Sequence, residues 1–354
     1  MPLFEYSSSL RVARNLRAFL GLQAGVVRGG PPESGSPGSE AEKLRQAGQR
    51  IAKQDRTLKR LRKRLEEQET GGVEDGVRPE NLVWIFSSGR SGTTWLRDMM
   101  KEVGGHWAWE EPRVGTLFGS FYGNAGANQL KTSNFIMTER YRKTWINSIR
   151  NLVLDGARVR FPEMSSSDHL VIKEPNGSEG APLLMEALPE SRMIFIVRDP
   201  WDSVASILDG AREGHWLYEK SQSIGWKENS KADNSPDEFI KGPASRYLHN
   251  VSKAKAAYEA HEGRKVFVRY EDLNADALNT LKRIYSALEI PVNEGELERV
   301  VEKHSWESIP EHKKGEGRFY RKASPGSWKE DLTPKQVDII EGITAPLLAE
   351  FYDG

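Results

Sequence analysis

Five consecutive residues, Leu82-Val83-Trp84-Ile85-Phe86, form an apolar run that stops abruptly at a block of small polar residues, Ser87 to Thr94. β-Branched and aromatic side chains without a polar interruption predict a short strand buried on both faces. From Trp95 through Met100 the apolar positions take up helical spacing. Comparable runs lie at 169–173, 192–197 and 265–269, with helical patterns between them, notably over 139–160 and 181–188. Strands alternating with helices predict an α/β fold, a parallel sheet covered by helices on both faces. Each run ends in polar residues: SSGRSGTT, KEPN, RDP and RYEDL. Ligands of such sheets collect beyond the carboxyl ends of the strands, so this shared edge is the predicted site. The Gly- and Trp-rich stretch 104–113 is too irregular for a core helix, and 115–135, rich in Gly, Asn and Phe, has the composition of a loop.

The first 75 residues have a different pattern. Leu10, Val12, Leu16, Phe19 and Leu20 fall loosely on one helical face, and 29–40, GGPPESGSPGSE, is a Gly/Pro/Ser linker without core-forming residues. In 41–69, Leu44, Ile51, Leu58 and Leu65 recur every seven residues among charged positions. The pattern fits a short coiled coil that forms a homodimer, or a solvated single helix. Residues 1–75 are therefore expected to be a helical N-terminal extension, and 76–354 the main domain.

Composition narrows the classes. The 51 basic and 51 acidic side chains cancel, so no global attraction to nucleic acid is indicated. Cysteine is absent, which excludes disulfides, thiolate nucleophiles and cysteine zinc sites. No run approaches the roughly 20 apolar residues of a membrane span. The expectation is a soluble, cytoplasmic protein.

Candidate chemistry gathers at the strand ends. After the first strand, Gly89-Arg90-Ser91-Gly92-Thr93-Thr94 has the form of a phosphate cradle: glycines admit an anion to the backbone, and the following helix start favours negative charge. Arg90 adds a fork-shaped charge, and Thr93 and Thr94 add hydroxyl donors. It is not a Walker A loop, because Thr93 stands where the lysine would follow the last glycine. Arg198 and Ser206 lie two helical turns apart around a second strand-to-helix turn, Asp199-Pro200, and would make a phosphate clamp unless Arg198 pairs with Asp199 or Asp202. Residues 318–329, RFYRKASPGSWK, suggest a basic closing loop.

Together these stretches resemble the sulfotransferases that use 3′-phosphoadenosine-5′-phosphosulfate (PAPS). SGRSGTTW, RDPWDSVAS and RKASPGSWK occur in the family's order, the last similar to RKGxxGxWK, and VRYEDL is similar to its YED segment. The resemblance covers about residues 80–335. It implies a sulfotransferase fold and sulfuryl transfer from PAPS to a hydroxyl by in-line displacement, without a metal. It further implies that Arg90, Ser91, Gly92, Thr93 and Thr94 hold the 5′ phosphosulfate. Arg198 and Ser206 would hold the 3′ phosphate with Arg321 and Lys322. Trp95 would stack on adenine, Trp306 would be a candidate for its other face, and Tyr270 would contact the adenine side. Arg90 in place of the cytosolic enzymes' lysine, and Ala323 in place of a glycine, are departures.

Arg90 and Lys173 suit stabilisation of charge on the leaving oxygen. The cytosolic enzymes' histidine, two residues past the equivalent of Lys173, is replaced by Pro175. Glu111 lies 21 residues after Arg90, as a glutamate does in tyrosylprotein sulfotransferases, and is the candidate base. An adjacent carboxylate and partial burial are expected to raise its proton affinity. His106 is the alternative base. The acceptor pocket is expected from 104–160 and 212–250, with aromatics that either stack on the acceptor or form a core. The acceptor is left open among carbohydrate, glycolipid, phenol or small alcohol, and peptide. Two other functions compete: a PAPS- or nucleotide-binding protein without catalysis, and an ATP-dependent P-loop phosphotransferase, which would need a lysine in the loop and magnesium ligands.

Overall fold

The computed structural model describes residues 76–125, 131–132, 134–223 and 231–352. The proposed N-terminal helix, linker and coiled coil lie outside the described residues. A five-stranded parallel sheet of order β2-β3-β1-β4-β5 forms the centre, with β1 Leu82–Phe86, β2 His106–Glu110, β3 His169–Lys173, β4 Arg192–Val197 and β5 Lys265–Arg269. The four strands expected from their apolar runs are present at those positions. The fifth, β2, is a correction: the stretch set aside as irregular pairs along its whole length with β3, His106 opposite His169 and Glu110 opposite Lys173. Its side chains are half-buried at the sheet's edge, so it lacks the continuous apolar signal of a central strand.

The principal helices are α1 Thr93–Lys101, α2 Val114–Asn124, α3 Arg142–Arg160, α4 Ala181–Ala187, α5 Pro200–Gly210, α6 Trp216–Ser223, α7 Lys241–Ala260, α8 Tyr270–Ala275, α9 Ala277–Ala287, α10 Glu294–Lys303 and α11 Pro334–Phe351. They cover both faces of the sheet, because alternate residues of a strand point to opposite sides. Leu82, Trp84 and Phe86 pack with Ile149 and Val153 of α3, Leu184 of α4 and Val251 of α7. Val83 and Ile85 pack with Leu96 and Met99 of α1, Ile284 of α9 and Val300 of α10. All five residues of β1 are fully buried, and its neighbours β3 and β4 diverge from it in chain order, so the loop after β1 opens at the sheet's switch point. Among the described residues no helix is long and apolar enough to cross a membrane.

Helix α2 is the second correction, since its residues were expected to form a loop. Its glycines let it lie backbone to backbone on the helical turn 175–180 that follows β3. A Cβ on Gly115 would sit 2.0 Å from the Gly177 carbonyl oxygen, and one on Gly119 would sit 2.5 Å from the Gly180 nitrogen. A Cβ on Gly123 would meet nothing within 4 Å. Gly115→Ala is therefore expected to destabilise the protein by about 1–3 kcal/mol through overpacking. Gly123→Ala should instead gain about 0.5–1 kcal/mol by restricting the unfolded chain. Paired thermal and urea unfolding curves check both signs.

Candidate active site

The loop after β1 is shaped by two left-handed residues, Arg90 at φ 69° and Gly92 at φ 79°. Gly92 also lies under the Tyr270 ring, where a Cβ would come within 2.4 Å of Cδ2, so both backbone angle and space demand glycine. No side chain caps the first turn of α1 among the described residues, which leaves its N–H groups pointing into the cleft. The Ser91 hydroxyl beside them is buried without a hydrogen-bond partner, as is Nε of Arg198. They are two of the ten buried side-chain atoms without a partner among the described residues, and both flank the loop after β1, where an anion would accept from them.

Arg198 follows β4, at the start of the turn into α5. Its guanidinium stacks over Tyr270 at 4.3 Å and donates from Nη1 to the Arg90 carbonyl at 3.0 Å. The pairing with Asp202 weighed from sequence is long, 3.9 Å. Asp199 caps α5 as its spacing before Pro200 predicts, accepting from the N–H groups of Trp201 and Asp202 at 2.8 and 3.2 Å. Burial, with Asp202 nearby, pushes its carboxyl up to about 6.

The Arg90 side chain turns from its own loop towards this second group. Its Nε donates to Ser206 Oγ at 3.0 Å and its Nη2 to the Phe319 carbonyl at 2.6 Å, with the guanidinium over both the Trp216 ring, at 5.0 Å, and the Phe319 ring, at 4.5 Å. Burial first, then the neighbouring charges of Arg198 and Arg321, brings its pKa down to about 10. Thus Arg90, Arg198, Ser206 and Arg321 meet in one basic hollow. Arg321 is held by Asp331 at 2.5 Å, and Lys322 reaches Asp331 and Glu330 at 3.0 Å each. The closing loop is anchored by Asp202, which accepts from the backbone N–H groups of Gly326 at 2.7 Å and Trp328 at 3.1 Å. Trp328 stacks on Trp201 at 5.1 Å. Ala323 keeps a left-handed φ of 50° despite its methyl group, so the backbone shape survives the departure from glycine. Trp95 stands edge-on to Tyr270 at 6.4 Å and donates to the His304 carbonyl at 2.8 Å, which brings the 304–306 segment beside it. Trp306 itself lies under the Lys314 ammonium, 5.0 Å from the ring centroid.

On the other side of α1 lies a second constellation. Lys173, the last residue of β3 and almost fully buried, donates to Thr94 Oγ1 at 3.2 Å, Glu110 Oε1 at 3.2 Å and Glu111 Oε1 at 2.9 Å. Asn176 donates to the other Glu111 oxygen at 2.9 Å. The raised proton affinity expected for Glu111 is corrected here. Burial does push it up, but the Lys173 charge, with the hydrogen bonds from Lys173 and Asn176, outweighs burial and holds the carboxyl below the ordinary range. The buried carboxyl whose affinity is raised, to about 7, is instead its neighbour Glu174, chiefly through desolvation. Glu174 accepts the Arg113 N–H at 3.0 Å and so fixes the strained turn between β2 and α2.

His106 does not belong to the site. It begins β2, whereas Glu111 follows that strand's far end, so about 16 Å of extended chain separates them. Of the aromatics considered for the acceptor pocket, Trp145 and Tyr247 are core residues, and the Tyr247 hydroxyl donates to the Arg198 carbonyl. Trp107 and Trp109 pack edge-on against Phe161, and Trp226 lies outside the described residues. Asn176 and Phe319 had no individual signal in the sequence, and Asp202 and Trp216 were read there in other roles, because what each does depends on partners distant along the chain.

Residues 80–352 match the sulfotransferase domain family. The chain belongs to that family. This sulfotransferase-domain enzyme is 24% identical to cytosolic sulfotransferase 17 of Arabidopsis thaliana, over 70% of this chain and 82% of that protein. It is 24% identical to cytosolic sulfotransferase 16 of the same plant, over 70% and 83%. Among solved structures, mouse sulfotransferase SULT7A1 complexed with PAP has a TM-score of 0.47 at 15% identity, covering 77% of this chain and 86% of that one. Sulfotransferase STF9 from Mycobacterium avium has a TM-score of 0.47 at 16% identity, covering 78% of each chain. The family uses PAPS as its sulfuryl donor.

The edge remote from the cleft carries its own pH dependence. His106 and His169 stack at 5.3 Å where β2 and β3 begin. Burial, then His106 and Arg192, brings the His169 imidazole from 6.5 down to about 4, and burial lowers His106 too. Both rings are therefore neutral when folded, while the unfolded chain takes up protons first as pH falls. Stability should be full above pH 6.5 and decline as pH drops from there towards about 4. His169→Gln should flatten that decline, as urea unfolding at a series of pH values would show.

Proposed function

We propose that the enzyme transfers the sulfuryl group of PAPS to an acceptor hydroxyl, with the hollow around Arg198 and the loop after β1 holding the donor and Glu111 serving as base. The observation that carries this reading is the pair of unpaired buried donors, Ser91 Oγ and Arg198 Nε, beside the uncapped start of α1. A phosphorylated ligand would satisfy both, and the crowding of Arg90 with Arg198 and Arg321 supplies the potential that attracts it. Ser91, Gly92, Thr93 and Thr94 are assigned to the 5′ side, and Arg198 and Ser206 to the 3′ phosphate with Arg321 and Lys322. Trp95, Tyr270 and Trp306 are assigned to the adenine. Arg90, bonded to Ser206 in this structure, bridges the two groups.

PAPS, when bound, supplies the sulfuryl group and a 5′-phosphate leaving group. Glu111 is ionised throughout the neutral range, which is the state a base requires. It takes the proton of the acceptor hydroxyl as that oxygen bonds to sulfur and the bond from sulfur to the 5′-phosphate oxygen breaks. Lys173 touches both Thr94 of the donor loop and Glu111, so its ammonium is the group best placed to stabilise charge on the departing oxygen. Asn176 fixes the second carboxylate oxygen and keeps the base aimed.

Calorimetry with 3′-phosphoadenosine-5′-phosphate (PAP) tests the donor site. It should bind in preference to ATP with magnesium, and Arg198→Ala should weaken it about tenfold or more, since a hydrogen bond to a charged group contributes about 1.5–3 kcal/mol. No binding, or a preference for ATP, would reject the reading. Once an acceptor is in hand, Glu111→Gln should lower kcat by about 10²–10⁴-fold while leaving PAP affinity unchanged. His106→Asn should leave kcat near that of the wild type, and the reverse pattern would move the base to His106.

A further inference from the structure

We propose that Glu174 is a positioning residue for the transfer: its buried carboxylate holds the left-handed turn that aims Glu111, and protonation of that carboxylate loosens the turn and slows the reaction. The inference rests on the sulfuryl-transfer reading above and adds a residue that acts through the base rather than on either substrate. Glu111 and Arg113 take positive φ, 42° and 61°, on either side of Pro112. Such residues revert to ordinary backbone angles unless their surroundings hold them. The Glu111 N–H is held by the Lys173 carbonyl at 2.9 Å, but at Arg113 the restraint is Glu174, whose Oε2 accepts the N–H at 3.0 Å. Glu174 has little room to shift. It is 1% exposed, its N–H donates to the Ile85 carbonyl at 3.0 Å, and its carbonyl accepts from the Gly177 N–H at 3.1 Å. A Cβ on Gly177 would collide with the Glu174 carboxyl, so the turn 175–180 is wrapped closely around it.

The strength of this hold depends on charge, since a hydrogen bond to a carboxylate is about twice as strong as one to a neutral acceptor. Glu174 changes charge in the working range, because burial brings its carboxyl up to about 7. Its Oε1 is buried without a hydrogen-bond partner, which leaves the ionised form poorly solvated. The charged groups nearby act in both directions: Glu111 raises its proton affinity, and the Arg113 charge lowers it together with the Arg113 and Gly115 N–H groups. β1 and α2 contribute no charged residue. On the turn 175–180 and α7, Glu179 accepts from Ser120 and lies 3.8 Å from His249, while the neutral Asn250 donates to the Pro175 carbonyl. The Lys173 ammonium is engaged by Thr94, Glu110 and Glu111. None of these groups takes the place of the carboxylate at the Arg113 N–H. Glu111 has the opposite shift, below the ordinary 4.5, so it stays ionised where Glu174 titrates. A loss of rate near neutrality is therefore the signature of the turn and not of the base.

Backbone amide NMR and PAPS turnover, both on the full chain, test this together. The Arg113 amide of the wild type should shift with a midpoint near pH 7. Turnover, with water or 2-naphthol as acceptor and sulfate or naphthyl sulfate plus PAP as products, should be level on the alkaline side. It should fall about tenfold to a hundredfold as pH drops through about 7. Glu174→Gln, which cannot ionise, should abolish both transitions and hold turnover at the acid-side level throughout, with PAP affinity unchanged. An Arg113 amide that does not titrate near 7, an amide transition accompanied by flat turnover in the wild type, or a turnover profile that Glu174→Gln leaves unchanged would overturn the inference. So would a variant whose lower turnover is accounted for by its unfolded fraction at the assay temperature, the mark of a purely structural carboxyl. Failure of the wild type to bind PAP, or to turn PAPS over with either acceptor, would instead overturn the underlying sulfuryl-transfer reading.

Discussion

One buried ammonium ties together the ends of β2 and β3 and the start of α1. Lys173 has three N–H donors and spends them on Thr94 of α1, Glu110 at the end of β2 and Glu111 just beyond it. A charge so enclosed is tolerable only when paired, and the cost of leaving it unpaired is several kcal/mol. Three pieces of chain far apart in sequence must therefore converge on one atom: the phosphate loop's helix, the end of β3 and the turn after the edge strand. That convergence also sets the state of the candidate base. Lys173 holds Glu111 ionised, so the carboxylate is ready to take a proton but is a weak base. The rate must then come from positioning as much as from basicity.

Around Arg90 and Arg198, by contrast, the structure is built on charge excess. Lys173 meets two carboxylates, but Arg90 meets a hydroxyl, a carbonyl and two aromatic faces. Arg198 has only a distant carboxylate in Asp202, because that residue's oxygens accept from the closing loop instead. Asp202 thus has two effects: it fastens the Gly326–Trp328 backbone over the hollow and leaves the hollow's guanidinium largely unneutralised. Arg321 and Lys322 are the opposite case, since Asp331 and Glu330 lie within their own loop and offset their charge.

What the amino-acid order reveals follows from how far each feature depends on distant partners. β1, β3 and β4 were legible because a strand inside a covered sheet must be a continuous apolar run, and the opposite edge strand, β5, because Val266, Phe267 and Val268 still make a short apolar run. β2 was not, because His106-Trp107-Ala108-Trp109-Glu110 is an edge strand whose pairing, rather than its composition, makes it a strand. Helix α2 was hidden by its glycines, which ordinarily weaken helices; their use lies in a backbone contact 60 residues away. The phosphate loop and the Asp199 cap were visible as local patterns. The Glu111 proton affinity was misjudged because the adjacent Glu110 is local and visible, whereas the deciding charge, Lys173, enters through strand register.

Backbone strain marks the same division between scaffold and site. Among the described residues, Arg90, Glu111, Arg113, Glu289 and Ala323 are the non-glycine residues with positive φ. All but Glu289 lie in the loop after β1, the turn after β2 or the closing loop. A left-handed conformation costs a non-glycine residue about 1–2 kcal/mol, so it persists only where the surroundings over-determine it. At Glu111 they do: its N–H donates to the Lys173 carbonyl at 2.9 Å, its side chain is gripped by Lys173 and Asn176, and two residues on the Arg113 N–H is gripped by Glu174. The strain lets one short turn end a strand, present a carboxylate and start α2. A relaxed turn would need more residues and would detach the Glu111 carboxylate from the helix that follows it. The rigid junction of Glu111 and α2 is thus a direct consequence of strain held in place by a buried lysine and a neighbouring buried carboxyl.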